Sequence, residues 1–317
     1  MARVFTADEI IALARDIGKI PNTGATGSED ADILRFLNDY LQTTLAPAIM
    51  EAREGFFDRQ YRTALSASTS TYRIHPRAIL GCERDVRYIN SDGNRNPPLD
   101  HLSPGDVDQF TGSSGSVPTA FYIEGNYIRL LPDMSASASG YLEEVFPMRP
   151  GELVLATNTR LVQSVASTTI TLTANAPASW GTNDTFDIHS PYSGSELKCW
   201  DKAASTVSGT TITTTTAIDG SLTGEFAVAA GDYVCLAGEC AVPAVPYEFH
   251  QVLARAAAAE WAESLGDSEG AKLHSERLNA RMRTLLAALK PRITGKRKRH
   301  KKAPFIAAQG RGRVSAS

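Results

Sequence analysis

Helical patterns at both ends of the chain enclose a long stretch of β-strand character, and this order constrains the fold more than any single motif does. At the N-terminus, Thr6 to Glu9 has the Ser/Thr-x-x-Glu form of a helix capping box. Apolar residues then recur at helical spacing: Ile10, Leu13, Ala14 and Ile17. We therefore predict a first helix that begins beside Thr6 and stops at Gly18.

A second N-terminal helix is predicted after a loop rich in Gly, Thr and Asn. Ser28 can cap this helix, and acidic residues occupy its first turn. Its apolar stripe consists of Ile33, Leu34, Leu37, Leu41 and Leu45. Pro47 either kinks the helix or opens a third one that reaches Glu54.

From residue 55 to about residue 246 the sequence consists of short runs rich in Thr, Val, Ile and aromatic residues, separated by Gly, Ser, Asn and Pro. This pattern is typical of β structure. The clearest strand candidates are Tyr72–Ile74, Val86–Ile89, Phe121–Glu124 and Tyr127–Leu131. Gly125-Asn126 lies between the last two and favours a tight hairpin turn.

A seven-residue pattern occurs twice inside this region. Residues 165–171 read VASTTIT, and residues 207–213 read VSGTTIT. Each copy is followed by a further strand candidate, at 184–188 and 232–236. We predict that 152–242 form a small β-barrel or sandwich built from paired hairpins. The alternative is that Thr-rich strands resemble each other through composition alone.

After Pro243 and Pro246 the sequence pattern becomes helical again. Four residues then repeat every four positions: Phe249, Leu253, Ala257 and Trp261. A second long helix is predicted to end before Pro291. The residues of its narrow, coiled-coil-like seam are Leu278, Met282, Leu285 and Leu289. We expect this seam to pack inside its own subunit or against a neighbouring copy.

Together these patterns predict an α+β fold. N-terminal helices and two long C-terminal helices form a helical core, and a mainly antiparallel β region carries a small β-barrel or sandwich as an insertion. The corresponding ranges are 1–54 for the N-terminal helices, 55–151 for the β-rich part of the core, 152–242 for the insertion, 243–290 for the helix pair and 291–317 for a basic C-terminal segment.

The sequence offers no sign of membrane insertion or catalysis. No stretch approaches the roughly 20 apolar residues of a spanning helix, and the N-terminus lacks the apolar core of a signal peptide. We therefore expect a protein made and kept in a cytoplasm. The chain contains no P-loop, HExxH or GxSxG motif, and its histidines are scattered singly. We expect neither enzyme activity nor a cofactor, although catalytic groups from distant positions can converge in space.

The four cysteines, Cys82, Cys199, Cys235 and Cys240, form no CxxC pair and have no histidine at zinc spacing. Buried, reduced thiols are therefore the preferred interpretation, and we expect no metal site.

Charge is divided unevenly along the chain. The net charge is -3, but ten basic and no acidic side chains lie from Lys290 onward, which leaves a body of -13. The basic residues of the C-terminal segment that can dock on an acidic partner are Lys296, Arg297, Lys298, Arg299, Lys301, Lys302, Arg311 and Arg313. Docking on protein is favoured over binding nucleic acid and over a solvated end, because Phe305 is the only aromatic residue after Trp261.

The order of these parts resembles the head-to-tail adaptor, or connector, proteins of tailed bacteriophages. The segments that carry the resemblance are Thr71–Ile79, Arg84–Val86, Phe121–Asn126, Gly231–Glu239, the Ala-rich helix around Trp261, Leu265–Asp267 and Pro291–Lys296. The likeness spans most of residues 5–297. This chain departs from the family pattern in its C-terminal segment, which is more basic, and at Ile79–Gly81, where a second glycine is expected.

The resemblance implies a structural virion protein rather than an enzyme. It implies a twelve-fold homo-oligomeric ring at the head–tail junction, assembled in the host cytoplasm, that binds the portal protein and a downstream tail or nozzle protein. The C-terminal segment would reach the portal, and non-specific contact with DNA in the channel stays open. The alternative is another virion-surface or tail-tip protein whose β insertion binds carbohydrate or a receptor.

Overall fold

The computed structural model describes residues 5–21, 28–79, 85–110, 112–191, 196–218 and 226–290. Cys82 and the basic C-terminal segment lie outside these ranges. The fold is mixed α+β with mostly antiparallel strands, which confirms the predicted class. Its α-helices are α1 (Ala7–Gly18), α2 (Ser28–Tyr40), α3 (Ala46–Ala52), α4 (His250–Ser264) and α5 (Ser268–Leu289).

Both ends of the chain contribute to one helical core. Side chains from α1, α2, α3, α4 and α5 share a single apolar cluster, and α2 continues into α3 through the π-helical turn Leu41–Leu45. Of the two C-terminal helices, only α5 is long, at 22 residues against 15 for α4. All four alanines of Ala256–Ala259 are buried, which lets neighbouring helices approach α4 closely.

The start of α1 has the predicted capping box. The Glu9 backbone N–H donates to the Thr6 side chain, and the Thr6 N–H donates to the Glu9 carboxylate. The helix ends at Gly18 as predicted, and the residue that adopts the left-handed conformation beyond it is Lys19, with φ of 52°. Gly18 has a packing reason instead, because a Cβ there would lie 3.1 Å from the Cβ of Ala258 on α4.

His250, at the start of α4, makes the stability of this core depend on pH. Burial lowers the pKa of His250 to about 4, despite the hydrogen bond to the Val245 carbonyl that opposes the shift. An unfolded chain keeps a histidine pKa near about 6.5. Between these values only the unfolded state takes up a proton, so the free energy of unfolding falls as pH drops from 7 towards 4.

We expect His250→Leu to flatten this dependence. Chemical denaturation at pH 7 and pH 5 should show wild type losing about 2 kcal/mol more than the variant between the two pH values, since each pKa unit corresponds to about 1.4 kcal/mol. The Leu variant loses the Val245 hydrogen bond at both pH values, so only the difference between them is informative. An equal loss in both proteins would contradict the assignment.

The strands are short and numerous. They are β1 (Asp58–Ala64), β2 (Thr71–Arg73), β3 (Asp85–Ile89), β4 (Arg95–Pro98), β5 (Asp100–His101), β6 (Ser114–Gly115), β7 (Ala120–Glu124), β8 (Tyr127–Leu131), β9 (Asp133–Met134), β10 (Tyr141–Pro147), β11 (Glu152–Leu153), β12 (Arg160–Ala166), β13 (Thr169–Leu172), β14 (Thr185–His189), β15 (Leu197–Ser208), β16 (Thr211–Thr214), β17 (Tyr233–Leu236) and β18 (Glu239–Cys240).

Two four-stranded sheets form the β-rich part of the core, in the orders β1-β10-β3-β4 and β2-β8-β7-β5. The predicted β7–β8 hairpin turns at Gly125, whose φ is +60°. Strands β1 and β10, which pair along their whole length, were not among the predicted strands. Two adjacent buried glutamates, Glu143 and Glu144, break the alternating apolar pattern expected of β10. Glu143 lies 3.1 Å from both Arg62 and Arg95.

The second β region is a closed barrel with the strand order β12-β13-β16-β15-β14-β17. Closure is made by β17, which pairs with both β12 and β14. The two copies of the repeated sequence meet at β13 and β16, where Ile170 lies opposite its equivalent Ile212. The strands that follow each copy, β14 and β17, also pair with one another. The barrel therefore has a pseudo-two-fold arrangement of two three-stranded units.

The chain enters and leaves the barrel at one place. Glu152 and Leu153 on the way in pair in parallel with Glu239 and Cys240 on the way out. Adjacent entry and exit strands are what an inserted domain requires. The barrel has its own apolar cluster, which includes Trp180 stacked edge-on against Phe186.

Candidate functional site

A network of buried charges joins the barrel to the rest of the protein. Arg77, which follows β2, donates from Nη1 to Asp187 of β14 at 2.6 Å. The Asp187 side chain is fully buried and also accepts from the backbone N–H of Asp201 and of Gly238, each at 3.0 Å. A guanidinium and two N–H groups thus satisfy a carboxylate that would otherwise be costly to bury.

His75 adds a second link across the same junction. Its Nε2 lies 2.8 Å from the Asp201 carboxylate, and its Nδ1 accepts from the Arg77 backbone N–H at 3.3 Å. This pairing assigns the ring proton to Nε2. Burial acts to raise the pKa of Asp201, but the hydrogen bond from His75 and the charge of Arg77 outweigh it and hold that pKa below its usual value.

Apolar contacts surround these charges. Phe146 and Met148, at the end of β10 and just beyond it, pack against Leu197 and Trp200 at the start of β15. The His75 ring stacks on Phe146 with centroids 5.2 Å apart. Because polar and apolar contacts coincide, we infer that the network holds the barrel in a fixed orientation.

The geometry of this network favours positioning over catalysis. His75 is 5 % exposed, and its two ring nitrogens are both engaged. Burial raises the pKa of the Cys235 thiol, and raises that of Cys240 to about 12, so neither forms a thiolate readily. Across the described ranges, no cluster of three or more His, Cys, Asp or Glu side chains could hold a metal ion.

The predicted helix seam lies against the helical core of its own subunit. Leu278 and Met282 are each 7 % exposed and belong to the core cluster, while Leu285 and Leu289 are partly buried against it. The predicted docking residues all fall outside the described ranges: Lys296, Arg297, Lys298, Arg299, Lys301, Lys302, Arg311 and Arg313.

Two adjoining clefts, of about 550 and 500 Å³, run along α2 and α3 and share Gln42 and Glu152. One wall is the helical surface itself. The other is the segment that leads into β11, because Asn38 exchanges two hydrogen bonds with the Leu153 backbone and Gln42 donates to the Pro150 carbonyl at 2.7 Å. We call the two clefts together the α2–α3 groove.

Neither the junction network nor the groove could be found by sequence reasoning. Arg77 and Asp187 are 110 residues apart, and His75 and Asp201 are separated further still. In the sequence, Arg77 and His75 are ordinary residues just after a strand. No local spacing indicates that their partners are Asp187 and Asp201. The histidines are scattered along the sequence, yet His75 and His189 both lie close to acidic side chains of this junction, with His189 at 4.0 Å from Asp187. Their spacing in the sequence therefore did not indicate the network.

No described helix is both long and apolar enough to cross a membrane. No protein-family model matches the chain, and no curated protein sequence is significantly similar to it.

Proposed function

We propose that this protein is a structural, ring-forming adaptor of a tailed-phage virion that joins the portal of the head to the tail. In this proposal copies of the chain, about twelve by resemblance, close into a ring that continues the DNA channel. Its partners are further copies of itself, the portal protein and a downstream tail or nozzle protein, and it has no catalytic role.

The observation that carries the proposal is the division of charge between body and C-terminus. A body of -13 repels its own copies, whereas ten basic groups from Lys290 onward can offset that repulsion across an interface. Closed rings use two different faces of each subunit, and two faces of opposite charge suit such a contact. The rigid junction between barrel and core supports the same role, because a ring needs subunits of one defined shape.

Removing the basic C-terminal segment tests the proposal. We expect a chain truncated after Thr294 to remain folded, since the described core ends at Lys290, but to form rings less readily. Because the ring is the unit proposed to bind the portal protein, the truncated chain should also bind portal more weakly. The difference from the full chain should be largest at low ionic strength, where charge pairs are least screened.

Two results would change the interpretation. Undiminished portal binding together with loss of a strongly salt-dependent affinity for duplex DNA would replace protein docking by phosphate binding. Absence of portal binding by the full chain, with binding of a carbohydrate or receptor by the barrel, would favour the alternative of a surface-binding module. The separate core of the barrel is the feature that favours this alternative.

A further inference from the structure

The α2–α3 groove has an apolar floor. Leu34 of α2 lines one cleft, and Ala46, Pro47 and Met50 of α3 line the other together with Ile79. The volumes of the two clefts fall within the range of about 300–1,000 Å³ that is usual for ligand-binding clefts. The groove can therefore receive large apolar side chains.

Unpaired acidic side chains outnumber unpaired basic ones around the groove. Asp39 and Glu152 line the groove, Glu51 directly follows the lining residue Met50 in α3, and all three are exposed. Within the described ranges none of the three forms an ion pair. Two arginines also line the groove: Arg35 is paired with Asp32 at 3.3 Å, and Arg149 is exposed and sets one positive charge against these three carboxylates. Residues 28–54 hold six acidic and two basic side chains. The groove therefore suits an apolar segment with basic flanks.

The chain contains one segment of that composition. Phe305 and Ile306 form an apolar pair inside the basic C-terminal segment, with Lys296–Lys302 before them and Arg311 and Arg313 after them. Phe305 lies fifteen positions beyond Lys290, where the described structure ends, and an extended chain of that length spans about 50 Å. This reach is enough to cross from one subunit to another.

We propose that Phe305 and Ile306 of one copy occupy the α2–α3 groove of an adjacent copy, with the flanking lysines and arginines on its acidic rim. The inference rests on the proposed function, because it requires copies to adjoin, and it names the surface that the basic segment meets. The apolar pair supplies an anchor that charge alone lacks, since exposed ion pairs contribute little individually.

Photo-crosslinking in the full-length protein tests this docking. Phe305 is replaced by p-benzoylphenylalanine, and these chains are mixed at high salt with isotopically heavy chains that lack the probe. The mixture is diluted to let both assemble together, irradiated and digested for mass spectrometry. We expect adducts between the probe and heavy peptides of α2 and α3, above all at Met50, and none for the same probe at Val314.

Charge reversal provides a matched control. Asp39→Lys with Glu152→Lys in the heavy chain should lower the adduct yield about tenfold, the change expected if two favourable rim contacts become repulsive. Glu260→Lys with Glu263→Lys, at exposed positions of α4, makes the same change in net charge and should leave the yield unaltered.

Measuring the mass of the same samples separates the two proposals. Rings whose adducts lie outside the groove, or only within one chain, overturn the docking proposal and leave the ring intact. Equal yields from the two charge-reversed proteins also overturn it. Chains that stay monomeric and give no adduct overturn both the docking and the ring.

Discussion

Replacing Arg77 with Met is expected to destabilise the protein by about 3–5 kcal/mol, because the substitution leaves the carboxylate of Asp187 buried without its cation. Asp187 would keep the two backbone N–H donors, from Asp201 and Gly238, and His189 at 4.0 Å, which carries a charge only when protonated. Arg77 also faces Asp201 at 3.7 Å, so a second acidic group at the junction loses its charge partner.

Denaturation followed by tryptophan fluorescence can measure this loss. Trp200 packs at the junction and Trp180 packs inside the barrel. The fluorescence of both should therefore change when the barrel separates from the core or unfolds. The matched control is Arg129→Met, which removes an exposed ion pair to Glu124 and should cost less than about 1 kcal/mol. Equal losses in the two variants would show that the junction network contributes nothing special.

A second substitution distinguishes the cost of leaving Asp187 buried and unpaired from the loss of the Arg77–Asp187 ion pair itself. In the double variant Arg77→Met with Asp187→Leu, no unpaired buried carboxylate remains, so part of the stability should return. If the two residues were not coupled, the destabilisation caused by Asp187→Leu alone would add in full to that caused by Arg77→Met. A double variant with this additive loss of stability would therefore argue against coupling.

Replacing Met282 with Asp is the other substitution with a large expected effect. Met282 is 7 % exposed within the core cluster that both ends of the chain share, and an unpaired buried carboxylate there should cost several kcal/mol. We expect the variant to be insoluble or to unfold far below the wild-type midpoint in a thermal denaturation experiment, and to form no ring.

Ala287→Asp is the control on the same helix, because Ala287 is exposed and the change introduces the same charge. It should fold and assemble normally. A soluble Met282→Asp protein with wild-type stability would mean that the seam is a solvated face and that α5 does not belong to the core.

The helices could be predicted because their signals are local. The capping box at Thr6, the apolar stripe from Ile33 to Leu45 and the alanine run in α4 each specify a helix and its buried face within a few turns. Pro47 illustrates the limit of such signals. It permitted either a kink or a new helix. The structure shows the new helix, α3, which ends at Ala52 rather than Glu54, and it joins α2 to α3 through a π-helical turn that no local signal indicated.

The β structure was predictable only where strands alternate or repeat. The repeated VxxTTIT pattern indicated hairpins, but whether they form a sandwich or a closed barrel depends on Arg160 and Leu161 pairing with β17, more than 70 residues away. β10 could not be predicted because two of its buried residues, Glu143 and Glu144, are charged types that normally face solvent. Burial of Glu143 depends on arginines from two other strands. Long-range pairing of this kind leaves no periodic trace in the sequence.

Native mass spectrometry of the full-length chain, alone and with a candidate phage portal protein, is the most direct test of the proposed ring. We expect one closed oligomer of about twelve copies that adds to the portal as a unit and dissociates as ionic strength rises. A monomer at every protein and salt concentration, with no complex on addition of portal, would contradict it.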